Sequence, residues 1–264
     1  MGIFLIQPKS NPSRLGAGGY NRNRRRRADR TGSRARQRAT RHSTRIEGNT
    51  LGSEEIGRAV IVLDRTQTEM QQEVRNYWRA LEWLEEQIEA ERLPSEELIR
   101  ELHSIILVHG LGRRRRRSDY RVDECPVVDS ATRRIDYAPP KPAEVPDYMA
   151  DLVAWWQGER AAMLPGPVHA GLLAHRFVSI HPFPDGNGRT ARALATFELW
   201  RSGYEMRGFL SLEEHYTALT QVKTWTKIAH RDKNKALPEL CSRFSTSAAW
   251  WLTQFTEVQE PHLN

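Results

Sequence analysis

HPFPDGNGRTAR, residues 181–192, gathers a histidine, an aspartate, an asparagine, two arginines and two glycines directly ahead of an apolar-periodic run. Gly186 and Gly188 flank Asn187, so backbone N–H groups converge there without side chains in the way, and the free amides of the following helix add its positive end. Such a nest suits phosphate. Arg189 and Arg192 stand where one helical face presents two planar guanidiniums to phosphate oxygens. Asp185 would repel phosphate unless a divalent cation lay between them, and Mg²⁺ takes a few carboxylate oxygens together with phosphate and water. His181 closes the preceding helix with an imidazole able to take a proton from a hydroxyl near neutral pH. Pro182 restrains the entry to the loop, and Phe183 is its apolar anchor. Taken singly, each residue has an ordinary use in a turn, a cap or a solvated face. Their coincidence reads as phosphoryl or nucleotidyl transfer.

Working outward, VHAGLLAHRFVSI (168–180) places Leu172, His175 and Ser179 on one helical stripe with Leu173, Phe177 and Ile180 beside it. Beyond the glycines a helix is expected from Arg189 or Thr190, burying Ala191, Leu194, Ala195 and Leu199 before Gly203. Two core helices thus meet at the turn. EVRNYWRALEWLEEQIEAE (73–91) carries a wide apolar stripe, and another helix is expected after Pro94 with Ser95 as its cap, stopped by Gly110 and Gly112. Val127 and Val128 suit a strand, and DSAT then RRIDY (133–137) reads as a turn followed by a second strand, giving a small hairpin. PPKPAEVP (139–146) is a stiff connector, and DYMADLVAWWQG resumes the helical period. The fold class is all-α with a hairpin insert.

The quoted turn resembles the signature of the Fic family, HPFx(D/E)GNGRxxR, with each fixed position present: His181, Pro182, Phe183, Asp185, Gly186, Asn187, Gly188, Arg189 and Arg192. The resemblance implies a helical Fic core with a β-hairpin flap over a groove for the target, matching 119–138, and extends from about Ser43 to about Tyr216. It implies AMPylation, the transfer of AMP from Mg²⁺-ATP to a Ser, Thr or Tyr hydroxyl of a protein bound beside the flap. His181 would be the base and Asp185 the Mg²⁺ ligand. Asn187 and the amides near Gly186 and Gly188 would hold the α and β phosphates, Arg189 the β phosphate and Arg192 the γ phosphate. Tyr216, in SLEEHYTAL (211–219), is the candidate adenine wall, in a region shortened relative to the family pattern.

STRIEGN (43–49) resembles the family's inhibitory motif (S/T)xxxE(G/N) through Ser43, Glu47 and Gly48. A bidentate pair between Glu47 and Arg192 would take that guanidinium from the γ phosphate and set a negative charge beside the others. From composition alone Glu47 reads as a surface carboxylate. The resemblance makes it a brake, and in some relatives such a Glu also assists removal of AMP. Release through a change of oligomeric state is a further family option. Within the family the alternatives are transfer of UMP, phosphocholine or the γ phosphate.

The chain has 264 residues, a net charge of +7 and a pI near 9.7. Residues 1–45 hold 13 Lys or Arg against Asp29 alone, a net +12, so the rest carries −5. The basicity belongs to an Arg-rich tail, expected to be disordered over 1–42, with an inhibitory helix and linker over 43–72, a core over 73–216 and divergent helices over 217–264. Such a tail also suggests a function of another class, a regulator that binds nucleic acid without sequence selectivity. Arg113 to Arg117 read as solvated surface, or as a field that steers an acidic target. No apolar run is long enough to span a bilayer and no leader pattern is evident, so a cytoplasmic protein is expected. Cys125 and Cys241 are too far apart for a clustered zinc site, and His169 and His175 lie off one face.

Overall fold

The computed structural model describes residues 22–61, 68–107, 118–128, 134–204 and 213, with side chains from Arg34 onward. The helices are α1 (Arg22–Ile46), α2 (Ser53–Ile61), α3 (Glu69–Glu89), α4 (Glu96–Ile106), α5 (Val145–Gln157), α6 (Glu159–Ala162), α7 (Gly166–Ile180) and α8 (Asn187–Arg201). Two short strands, β1 (Val127–Val128) and β2 (Ile135–Tyr137), pair antiparallel, with Val127 opposite Tyr137. A 3-10 turn at Pro142–Glu144 leads into α5. No helix among the described residues is long and apolar enough to cross a membrane.

Helix boundaries follow local chemistry. Thr68 caps α3 in a reciprocal capping box with Gln71, and the Ser95 hydroxyl accepts from the Leu98 N–H at the start of α4, as its sequence predicts. α4 ends at Ile106, short of Gly110, which lies outside the described residues. α8 begins at Asn187, two residues before the expected start, because Gly186 already serves as its left-handed N-cap.

α7 and α8 are the central pair. Leu173, Phe177 and Ile180 of α7 and Leu194 and Phe197 of α8 join Tyr77, Leu81 and Leu84 of α3, Leu98 and Leu102 of α4, and Met149 and Trp156 of α5 in one core. The buried stripe of α7 is His169, Ala170, Leu173, Phe177 and Ile180; Leu172, His175 and Ser179 are only half-buried, so the Phe177 side of the helix, not the His175 side, faces the core.

The sequence expectation of disorder up to residue 42 is corrected by α1, which already runs from Arg22. Its arginines find acid on α3: Arg36 pairs with Glu82 at 3.0 Å and with Glu85, and its guanidinium lies 4.9 Å from the centre of the Trp78 ring. Ala35, Ala39, Thr40, Ser43 and Thr44 are buried, small enough for a close approach to the bundle. Tyr216, the five-arginine run, Cys241 and the helices expected over 217–264 lie outside the described residues.

Candidate active site

The quoted turn joins the C-terminus of α7 to the N-terminus of α8. Pro182 disfavours a right-handed helical conformation at the residue before it, and His181 takes the left-handed one instead, φ 51° and ψ 57°. Its N–H still donates to the Phe177 carbonyl at 3.1 Å. Phe183 is fully buried and stacks on His103, ring centroids 3.6 Å apart, as befits an anchor.

Asn187 is turned into the loop. Its Nδ2 donates to the Phe183 carbonyl at 2.7 Å, its Oδ1 accepts from the Phe183 N–H at 3.1 Å, and the residue is 2% exposed. Each polar end of the side chain thus makes one bond that closes the loop on itself, and Asn187 shapes the turn.

Glu47 reaches that turn. A Cβ on Gly188 would stand 2.6 Å from Glu47 Oε1 and 3.2 Å from Arg192 Nη1, so the carboxylate lies against the first turn of α8 in space that only glycine leaves open. The same oxygen accepts from Arg192 Nη2 at 2.6 Å. The contact is through one oxygen, so the expected bidentate pair is replaced by a shared grip: Arg192 Nε donates to the Ser43 hydroxyl at 2.9 Å and Nη2 to the Ser43 carbonyl at 3.0 Å. Burial works against the Arg192 charge, but Glu47 foremost, with Tyr77 and Glu213, outweighs it and holds the guanidinium pKa above its ordinary value. The Tyr77 hydroxyl in turn donates to Glu213 at 2.8 Å. Gly48, at φ 104°, makes the sharp exit from α1 that brings Glu47 and Asn49 to the same side.

Arg189 is held differently, by Glu73 at 2.9 Å and Asp185 at 3.1 Å. Glu73 also accepts from Asn49 Nδ2 at 2.8 Å, so the segment that places Glu47 on Arg192 reaches Arg189 through one further carboxylate. Asp185 keeps its side chain largely exposed, with Oδ1 accepting from the Gly186 N–H at 2.6 Å. Among the described residues no group of three His, Cys, Asp or Glu could cage a metal ion. A single exposed carboxylate beside a phosphate cradle fits Mg²⁺, which keeps its waters and binds mainly through phosphate oxygens.

His181 is half-buried. Burial, then the nearby Arg121 cation, pushes its imidazole pKa below the ordinary value, and the Val178 carbonyl, Asp185 and Glu47 oppose this without cancelling it. The ring is neutral at neutral pH and able to accept a proton.

Sequence reasoning missed His103, Arg121 and Glu73. His103 Nε2 lies 2.8 Å from the Asp185 carbonyl and Nδ1 lies 2.6 Å from the Ser118 hydroxyl. A carbonyl only accepts, so Nε2 carries the proton and Nδ1 accepts from Ser118; burial, the main cause, holds the ring's pKa at about 4 and keeps it neutral. These residues come from α3, α4 and the arm before β1, and nothing in their local text announces a partner that is remote in sequence. The turn does unite His181, Asp185, Gly186, Gly188, Arg189 and Arg192 with Ser43 and Glu47.

The model of the Fic/DOC family matches residues 93–199. The chain is 41% identical over 69 residues to a protein adenylyltransferase, fic-1, of Caenorhabditis briggsae, a match covering 26% of this chain and 13% of that protein. With the protein adenylyltransferase Fic of Drosophila melanogaster it shares 38% identity over 68 residues, 26% of this chain and 14% of the other, so the matches span about a seventh of these relatives' length. Among solved structures, a Fic domain-containing signaling protein from Bacteroides thetaiotaomicron aligns with a TM-score of 0.66 at 26% identity, over 82% of this chain and 84% of the other. A Fic family protein from Desulfovibrio desulfuricans aligns with a TM-score of 0.68 at 21% identity, over 92% and 71%, a likeness of fold. The turn, its central helix pair and these matches agree that residues 93–199 of the chain form a Fic/DOC family domain.

Proposed function

We propose that the chain is a protein adenylyltransferase that moves AMP from Mg²⁺-ATP to a hydroxyl of a protein, and that Glu47 holds it inactive. The observation that carries this reading is the Glu47 carboxylate lying over Gly188 and on Arg192, an internal anion seated where the cradle would take phosphate. In the reaction the hydroxyl oxygen forms a bond to the α phosphorus, the bond from that phosphorus to the bridging oxygen breaks, and pyrophosphate leaves. His181 takes the hydroxyl proton. The α8 amides and Arg189, once released from Glu73, meet the negative charge that builds on the phosphates, and Arg192 the γ phosphate. Mg²⁺, held by Asp185, would offset the charge on the leaving pyrophosphate. The target lies beside the β1–β2 pair, where Ile135 is exposed on the strand edge.

Removing Glu47 frees Arg192 and the cradle together. Glu47→Gly is expected to raise label transfer from α-labelled ATP to itself or to extract proteins by about tenfold or more, a change of about 1.4 kcal/mol. His181→Ala in that background abolishes it. Running CTP, GTP and UTP in parallel identifies the nucleotide, and γ-labelled ATP separates nucleotidyl from phosphoryl transfer. Equal labelling by wild type and Glu47→Gly defeats the brake, and no labelling by either defeats the transferase. Incubating labelled product with wild type and reading released AMP tests the reverse direction, which belongs to the same carboxylate.

A further inference from the structure

A cradle that turns its N–H groups toward an anion turns neighbouring carbonyls away from it, and those carbonyls need donors. Arg121 supplies two at the loop's entry. Its Nε donates to the His181 carbonyl at 2.8 Å and its own backbone N–H to the Pro182 carbonyl at 2.9 Å. Its other nitrogens reach the Asp123 carbonyl at 3.1 Å and the Pro140 carbonyl. Asp123 and Pro140 stand at the two roots of the β1–β2 arm. One guanidinium therefore ties both roots of that arm to the peptide of His181.

Arg121 is 3% exposed, and among the described residues its guanidinium donates to three carbonyls. A buried cation satisfied only by peptide dipoles is costly, and a single ion-free donor would cap one carbonyl as well. The left-handed conformation of His181, at φ 51°, is also strained for a residue with a Cβ and persists only where the surroundings impose it. Both expenses meet at one peptide. We infer that Arg121 is a positioning residue that locks His181 in its left-handed conformation and sets the imidazole in register with the arm that carries the target.

The inference rests on the reading of His181 as the base. Among the described residues the charged groups acting on its ring are Arg121, Asp185 and Glu47, and of these Arg121 disfavours its protonation.

The test has one arm without nucleotide and one with it. In NMR spectra of the full chain, Arg121→Ala is expected to shift the His181 Cα resonance out of the left-handed range and to raise the ring's titration midpoint by about half a unit or more. Arg121→Lys, which keeps the charge but loses the fork, shifts the Cα resonance while moving the midpoint less. In the Glu47→Gly background, Arg121→Lys is expected to lower kcat by about a hundredfold with nucleotide Kd within about twofold, and millimolar guanidinium restores part of the loss in Arg121→Ala. An unchanged His181 Cα shift in both variants overturns the inference, as does a loss shared equally between kcat and Kd without guanidinium rescue. If Glu47→Gly itself transfers nothing, the transferase reading fails and the NMR arm still decides the placement of His181.

Discussion

At the residue scale the loop is held from behind by donors to its carbonyls. His103 braces the apex as Arg121 braces the entry: it donates to the Asp185 carbonyl while its ring lies flat on Phe183. His103→Phe keeps the stack and leaves that carbonyl without its donor, which is expected to cost about 1–3 kcal/mol in urea unfolding. His103→Gln places an amide N–H at a similar reach and recovers part of this. Equal stability of the two variants would show that the ring's shape, not its proton, matters. Gly188 is a sharper case. Gly188→Ala puts a Cβ 2.6 Å from Glu47 Oε1, and the same methyl intrudes on any phosphate seated there. The variant is therefore expected to lose nucleotide binding even when combined with Glu47→Gly, as read by isothermal titration with ATP. A double variant that binds ATP as well as Glu47→Gly places the phosphates elsewhere.

At the scale of elements, the proposed brake would be a property of how α1 docks. Among its described side chains, the buried face of the helix offers Ala35, Ala39, Thr40, Ser43 and Thr44, all small, so its hold on α3 leans on Arg36 between Glu82 and Glu85. Those glutamates are nearly half exposed, and partly solvated pairs are worth about 0.2–1 kcal/mol each and weaken with salt. Arg36→Ala is expected to raise basal transfer by roughly five- to thirtyfold, the effect of one or two kcal/mol on a two-state docking equilibrium. It adds nothing in the Glu47→Gly background, where the brake is already gone. Additive gains in the two backgrounds would mean that α1 acts other than through Glu47. This docking also marks where the sequence stopped being legible. α7, α8 and the cap at Ser95 could be read because their signals are local: an apolar period, a proline, a hydroxyl before two glutamates. α1 reads as a solvated arginine run until Glu82 and Glu85, 46 and 49 residues away from Arg36, are laid beside it. The turn was legible for the same local reason, except at Asn187, whose residue type fits phosphate contact and loop closure equally and whose choice depends on the course of the backbone at Phe183.

At the scale of the whole molecule, α8 is fixed at both ends by buried polar groups whose proton balance ties stability to pH. Its N-terminus is the cradle; near its C-terminus Glu198 is fully buried and accepts from Trp156 Nε1 at 2.7 Å, Arg201 Nε at 2.9 Å and the Ser202 hydroxyl at 2.9 Å, with His169 Nδ1 at 3.0 Å. Burial alone would raise the Glu198 pKa, but the bonds from His169, Arg201 and Trp156 overcome it and hold the carboxylate at about 2. A carboxyl depressed in the fold stabilises it fully above its unfolded pKa, near 4.5, and loses that contribution as pH falls toward 2. His103 is depressed too, to about 4 from 6.5, through burial of a neutral ring, so its contribution is complete above pH 6.5 and disappears as pH falls to 4. The two windows adjoin. Unfolding free energy is therefore expected to begin declining below pH 6.5 through His103 and to continue below 4.5 through Glu198, each group accounting for about 3 kcal/mol at the order-of-magnitude level. Glu198→Gln leaves Arg201 and His169 facing an amide and is expected to cost about 3–5 kcal/mol at pH 7 while flattening the slope below pH 4.5; His103→Gln flattens the slope between 6.5 and 4. Guanidinium titrations of the three proteins at pH 7, 5 and 3 read both effects. A wild type whose stability is level from pH 7 to 5, or a Glu198→Gln protein with an unaltered acid limb, would show that α8 is not anchored through these protons.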